Sequence, residues 1–169
     1  MSTRPHITFL NRLRSFRDAE TGAILVEFSL VLPVMLLFFA VAVESTRMFW
    51  SYQTAISGVR DAGRYLARVA PVDICLSGGS LAGYASSLKQ IVEKDIGGTT
   101  LLPAQITINS VTPSLTCVSG SYRINPAPIA TVSANMTIQF PFGSILGLFG
   151  SGLTSTTTTI TDQSRIFGQ

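Results

Sequence analysis

The sequence predicts an α+β fold in which a long N-terminal helix, apolar in its first half, precedes a small head. Three observations lead to this prediction. Near the N-terminus, 21 residues carry one ionisable side chain. After them, apolar residues recur every three or four positions, and from residue 104 the apolar period falls to two. We therefore expect the head to hold a second helix and an antiparallel sheet of three to four strands.

The basic residues are concentrated in the first part of the chain. Only 12% of all residues are charged and the mean hydropathy is +0.41, whereas about a quarter of the residues in a soluble domain are charged. Eight of the twelve basic residues precede position 70, and the four that follow are balanced by four acids. The basic character is therefore attributed to membrane topology. It predicts neither a nucleic-acid partner nor a small-molecule substrate.

The apolar segment at residues 23–43 is long enough to cross a membrane, because about 20 helical residues span the hydrocarbon core. Four arginines precede it, and cytoplasmic flanks collect basic residues. We predict a single-pass inner-membrane protein with a cytoplasmic leader at residues 1–22. Outside the cytoplasm, an amphipathic continuation of the helix at 44–70 leads to a periplasmic head at 71–169. Pro33 either kinks the membrane helix or is tolerated within it.

Glu27 is the one ionisable residue within this segment. A charged side chain at the centre of a membrane helix costs roughly 2.5–3.5 kcal/mol, and such residues usually have a partner. Two explanations are open. Either Glu27 lies near the cytoplasmic end and reaches the interface, or a partner neutralises it.

The residues around Gly22 carry a recognisable junction. Residues 16–28 read FRDAETGAILVEF, so a glycine closes a polar leader and a glutamate stands fifth after it. This resembles the processing site of type IV prepilins, where a membrane peptidase cuts after the glycine. The resemblance implies that Ala23 becomes the new N-terminus. It also implies that Glu27 meets the N-terminal ammonium of a neighbouring subunit, since opposite charges attract strongly at low dielectric.

A longer match covers residues 12–69 and resembles the TadE-like family of minor pseudopilins. That family combines a Gly-Ala-x-x-x-Glu-Phe opening, a Leu-Pro in the apolar run, a Glu-x-x-Arg beyond it and an arginine-rich stretch on the same helix. The family's arginine-rich stretch is similar to Ala-Arg-Glu-Gly-Ala-Arg-Tyr. This chain departs from it twice, with Asp61 in place of the glutamate and Ala62-Gly63 in place of Gly-Ala. The corresponding residues here are Gly22, Ala23, Glu27, Phe28, Leu32, Pro33, Glu44, Arg47, Arg60, Gly63, Arg64 and Tyr65.

The resemblance implies a structural subunit of a bacterial Tad-type (tight adherence) pilus assembly or secretion system. Its partners would be a prepilin peptidase, other pilin-like subunits and inner-membrane assembly proteins. Glu27 and Phe28 would dock it to its neighbours, and it could enter a surface pilus. The resemblance says nothing about the head.

Two other interpretations stay open. An uncleaved signal anchor could hold a periplasmic binding module. Alternatively, Ala40-Val41-Ala42 fits the small-x-small pattern of ordinary signal peptidase, and cleavage after Ala42 would release a soluble protein.

Beyond the apolar run, a helical stripe predicts one continuous helix from about residue 23 to residue 70. The stripe is either core or a dedicated binding groove. It comprises Phe49, Tyr52, Ile56, Val59, Gly63 and Leu66.

A second helix is predicted from a cap at Ser80 to the pair Gly97-Gly98.

Alternation of apolar and polar residues predicts strands around Ile106 and Ile108 and over residues 132–140. The threonine-rich segment at 154–161 is either a strand or a mucin-like stalk. No clear period marks residues 115–129. Between the last two strands lie apolar residues that either pack or form an exposed patch for a partner: Ile145, Leu146, Leu148 and Phe149.

Cys75 and Cys117 are the only cysteines. Outside the cytoplasm they would be oxidised and could join the helical part to the sheet, although two free thiols are the alternative. The only histidine, His6, lies in the leader, so neither a metal site nor histidine-based catalysis is expected outside the membrane. We predict a protein that is not an enzyme and needs no cofactor.

Overall fold

A computed structural model describes residues 20–143 and 154–168. It shows the predicted fold class: a long apolar N-terminal helix, then a small head with a short helix and a three-stranded antiparallel sheet. A 3₁₀ turn at Ala82–Tyr84 precedes the third helix. The elements are α1 (Glu20–Val69), α2 (Ile74–Ser77), α3 (Ala85–Glu93), β1 (Ile106–Val118), β2 (Ala127–Gln139) and β3 (Ser155–Arg165).

The contacts divide the chain into two compact units, Met1–Val43 and Glu44–Gln169. In the first unit the described residues belong to α1. Its large apolar side chains between Ile24 and Val41 are mostly exposed, by 38% to 70%. The helix is assigned without a break through Pro33. This continuity favours the interpretation that the proline is tolerated.

The sheet of the second unit has the strand order β1-β2-β3, and both pairs are antiparallel. β1 is longer than the alternation at Ile106 and Ile108 suggested, since it continues to Val118. A register irregularity between Ile108 and Ser110 shifts the alternation by one residue. After the shift, the side of the sheet that holds the core receives Val111 and Leu115 in alternation with Pro113 and Cys117, which interrupt the aliphatic pattern. The period was therefore hard to read from residue 115 onward.

The two faces of β2 differ in composition. Val132, Ala134, Met136 and Ile138 are buried in the core cluster. The opposite face carries small polar side chains that form cross-strand hydrogen bonds with β3. The bonded oxygen pairs are Ser133 Oγ and Thr161 Oγ1 (3.0 Å) and Thr137 Oγ1 and Thr157 Oγ1 (3.2 Å). The threonine-rich segment is therefore a strand.

The buried face of α1 in the second unit consists mainly of small residues. Its side chains are 1% exposed or less, and they share one hydrophobic cluster with the sheet. The predicted stripe is confirmed as core at Val59 and Leu66, but it was wrong at Phe49, which is 65% exposed. Alanine side chains are small, so they allow close packing of the helix on the sheet, but they stand out little in a hydrophobic pattern. The buried face of α1 therefore includes alanines that the predicted stripe did not contain. These buried residues are Ala55, Val59, Ala62 and Leu66, and Ala70 directly after the helix is buried in the same cluster.

α3 packs its apolar face into the same core through Leu88 and Val92, both fully buried. The prediction that this helix reaches Gly97-Gly98 was wrong. The helix ends at Glu93, because Lys94 adopts an extended conformation and bridges Thr100.

The prediction that Ser80 caps the second helix was wrong: Ser80 lies before the 3₁₀ turn, whose N-cap residue is Leu81. The Ala82 amide donates a hydrogen bond to Ser80 Oγ over 3.2 Å.

Cys75 and Cys117 form a disulfide that joins α2 to β1, as predicted. Two other predictions fall on residues that the structure does not describe. The leader lies outside the described residues up to position 19, and so does the apolar patch with Ile145, Leu146, Leu148 and Phe149.

Candidate functional site

The predicted cleavage junction lies in α1. The described part of this helix starts at Glu20, and Gly22 and Ala23 follow within one turn of it. Gly22 is partly exposed, and a Cβ built on it would meet no atom within 4 Å. Ala23 is exposed. Nothing in the described part of the first unit covers the peptide bond between the two residues.

Glu27 and Phe28 lie about one turn further along α1, and both side chains are exposed. Within residues 20–143 and 154–168, the Glu27 carboxylate has neither a hydrogen bond nor an ion pair. Phe28 is 58% exposed, and Leu32 and Pro33 continue this uncovered surface. The helix therefore presents a carboxylate with no described intramolecular counter-charge.

Glu44 has the opposite surroundings, in the second unit. Its side chain is only 9% exposed, and its Oε2 atom is buried with no hydrogen-bond partner among the described residues. Arg47, one turn later, is exposed, and its Nη2 donates a hydrogen bond to Gln105 Oε1 over 3.3 Å. Glu44 and Arg47 line one small cavity of about 20 Å³, but they do not form an ion pair.

The two arginines of the later family motif lie on the solvent side of α1. Arg60 and Arg64 are exposed, and Arg64 Nη1 lies 3.7 Å from Asp61 Oδ1. Exposed pairs of this kind contribute between about 0 and 1 kcal/mol. The structure therefore leaves both arginines accessible to a partner without assigning one.

An open groove of about 1100 Å³ lies between α1 and α3, and no sequence pattern predicts it. The two helices cross closely here, since a Cβ on Gly58 would lie 3.1 Å from the Val92 backbone. The turn after α3 forms the rim and presents Ile96 fully to solvent. Gly58 and Val92 are far apart in the sequence, and no local pattern indicates that they lie close together. The groove is lined by Thr54, Ser57, Gly58, Asp61, Tyr65, Ser87, Gln90, Ile91, Lys94, Asp95, Ile96, Gly97, Gly98 and Leu101.

These features define a class of protein: a small α+β head with a single N-terminal helix that fits a single-pass membrane anchor. Residues 22–64 match the model of a protein family described as TadE-like protein. The predicted resemblance to that family is thereby confirmed, and the match extends from Gly22 to Arg64. No curated protein and no solved structure matches the chain.

TadE-like subunits of Tad pilus systems are structural rather than catalytic. A subunit of this kind interacts with the membrane and with other pilus components. The match covers the motif-bearing part of α1 and stops before the rest of the head.

Proposed function

We propose that this protein is a minor pilin-like subunit of a Tad-type pilus assembly or secretion system. A prepilin peptidase cleaves it after Gly22, and its N-terminal helix then docks it to other pilin-like subunits. The N-terminus faces the cytoplasm and the head lies in the periplasm. The observation that carries the proposal is Glu27, an exposed carboxylate in an apolar helix, with no partner among the described residues.

The chemistry of the junction supports cleavage. Gly22 has no side chain and open space around it, so a peptidase can approach the backbone. Cleavage would leave the α-amino group on Ala23, and that group is cationic at neutral pH. The cut therefore creates a positive charge at the end of the helix that contains the unbalanced acid.

Docking follows from the cost of an unpaired charge in lipid. A carboxylate and an ammonium attract strongly where the dielectric constant is low, and pairing offsets the desolvation of both. Glu27 lies four residues after Ala23 in the same helix. The ammonium of a neighbouring subunit, displaced slightly along the bundle, would supply the counter-charge. Phe28 would add an apolar contact next to it.

A second candidate function is favoured by the groove between α1 and α3. An open concavity of about 1100 Å³ on the head fits a periplasmic binding module held by an uncleaved signal anchor. This alternative requires the leader to remain attached.

The intact mass of the protein purified from membranes of its native host tests these possibilities. Loss of residues 1–22 supports the pilin-like subunit, and the full-length chain supports the anchored binding module. A chain that starts at Val43 contradicts both and identifies a secreted protein. Gly22→Leu changes the proposed cleavage junction and should abolish the processed species. The matched control is Ser29→Leu, in the same helix, which should leave processing unchanged.

A further inference from the structure

The only tryptophan of the chain, Trp50, lies on α1 with its side chain 75% exposed. Its neighbours Met48 and Phe49 are 41% and 65% exposed. We propose that Phe49 and Trp50 lie in the outer membrane–water interface of the anchored subunit and fix the depth of the helix there. The proposal rests on the membrane anchor of the proposed function and adds a lipid contact to it.

The aromatic pair lies on the part of α1 that the head leaves uncovered. Arg47 and Met48 border the small cavity that they share with residues of the head, whereas the surface depression at Phe49 and Trp50 is lined by residues of α1 alone. The pair also follows closely after the apolar run at residues 23–43 in the sequence. In an anchored subunit, side chains at this position meet the lipid headgroups.

The chemistry of tryptophan fits this layer. Indole combines a large apolar surface with one N–H donor, and tryptophan is enriched where membrane and water meet. On the same helix, the side chains that follow are polar at Gln53, Thr54 and Ser57. The aromatic pair thus marks a transition from apolar to polar surface.

The charged residues just before the aromatic pair are compatible with this depth. Glu44 is buried against residues of its own unit, including Ile106 and Phe140, so its carboxylate is shielded from lipid. Arg47 has a long side chain that can extend to the interface, and Gln105 accepts one of its hydrogen bonds.

Tryptophan fluorescence of the full-length chain in phosphatidylcholine vesicles tests the proposal, since Trp50 is the only indole. Bromine atoms quench indole on contact, so lipids brominated at different acyl positions report depth. We expect blue-shifted emission and greater loss of intensity with lipids brominated near the headgroup than with lipids brominated near the chain end. Emission typical of water, with no quenching by any of these lipids, would overturn the proposal. That result would indicate that water or a second protein molecule surrounds Trp50.

Two variants calibrate the depth scale, both built on Trp50→Phe. Phe38→Trp places the indole within the apolar run, where deeply brominated lipids should quench it most. Tyr65→Trp places it on the head, where no lipid should quench it. If Trp50 shows the same profile as the Phe38→Trp variant, it lies in the hydrocarbon core and the interface assignment is wrong. If the Phe38→Trp variant itself is not quenched, the membrane anchor fails, and the proposed function fails with it.

Discussion

Glu27 and Glu44 lie in the same helix, and their carboxylates have opposite surroundings. Glu27 is exposed on an apolar surface, whereas Glu44 is nine-tenths buried beside the sheet. Neither has a counter-charge among the described residues, and each therefore imposes a cost that assembly or burial must offset. Glu27 can gain a partner from another subunit. Glu44 is enclosed by its own unit, so its effect belongs to the stability of the head.

Glu27→Ala should be processed like the natural protein but should assemble poorly, because the variant lacks the carboxylate that pairs with a neighbouring ammonium. We expect incorporation into the complex to fall by about tenfold or more, equivalent to about 1.4 kcal/mol. Intact mass measures processing, and co-purification with the partner subunits measures incorporation. Ser29→Ala, on the same exposed segment, is the control. Normal incorporation of the Glu27 variant would remove the docking role.

Glu44→Met should raise the free energy of unfolding of the head by about 1–3 kcal/mol, since it replaces a buried, unsatisfied carboxylate by an apolar chain of similar length. Urea unfolding followed by circular dichroism measures the change. Gln53→Met, at an exposed position of the same helix, should have little effect. A loss of stability in the Glu44 variant would mean that its carboxylate gains a stabilising partner in solution.

The helices and strands of the head pack through small residues and one covalent bond. Ala62 and Gly58 allow α1 to lie close to the sheet and to α3, and Cys75 and Cys117 join α2 to β1. The disulfide closes a loop with a sequence separation of 42 residues. The core of such a small head is limited in area, so single contacts between elements contribute a large share of its stability.

Gly58→Leu should destabilise the head by about 1–3 kcal/mol, because the new side chain meets the Val92 backbone, which cannot move aside without displacing α3. Thermal or urea unfolding provides the measurement. Ser57→Leu adds the same side chain at the next position, where it is exposed, and should be nearly neutral. Equal stability of the two variants would mean that α1 and α3 are not held together at Gly58.

Replacing both cysteines by alanine should lower the free energy of unfolding by about 2–4 kcal/mol, as expected for a loop of this length. The natural protein should lose a similar amount when a reducing agent is added, and the double variant should not respond to it. A natural protein whose stability is the same with and without reductant would contradict a stabilising role for the bond.

At the scale of the whole molecule, the chain consists of two units with different solvents. The described residues of Met1–Val43 bury little of their apolar surface, while the buried core residues that the structure describes all lie in Glu44–Gln169. The first unit needs lipid or neighbouring subunits to cover it, and the second folds around its own core. The proposed processing and docking therefore concern the first unit, and the stability of the core concerns the second.

A fragment comprising residues 44–169 should fold without the apolar run when expressed in an oxidising compartment. We expect one cooperative unfolding transition and a closed disulfide, since all residues of the core cluster lie in this unit. Circular dichroism during urea unfolding and a thiol assay test this. A fragment that remains unfolded, or that exposes two free thiols, would show that the head depends on the membrane helix.

Much of this architecture was predictable because its signals are local. The apolar run, the Gly22-to-Glu27 spacing and the alternation in β2 each depend on residues close together in the sequence. The ends of the elements were less predictable. α3 stops at Glu93 because Lys94 bridges Thr100, and β1 continues past a register shift, so neither boundary carries a local signal. The prediction that Phe49 belongs to the buried stripe of α1 was wrong, because which side of a helix the head covers depends on residues distant in the sequence.

The sequence by itself determined the single apolar helix, the family motif and the position of an acid within that helix. Hydrophobic length, charge spacing and motif order are properties of neighbouring residues. Only the tertiary structure decided that Glu44 is buried, that Phe49 and Trp50 are exposed and that a groove opens beside Gly58. Burial and concavity depend on residues such as Val92 and Phe140 that are distant along the chain, and folding alone brings them to α1.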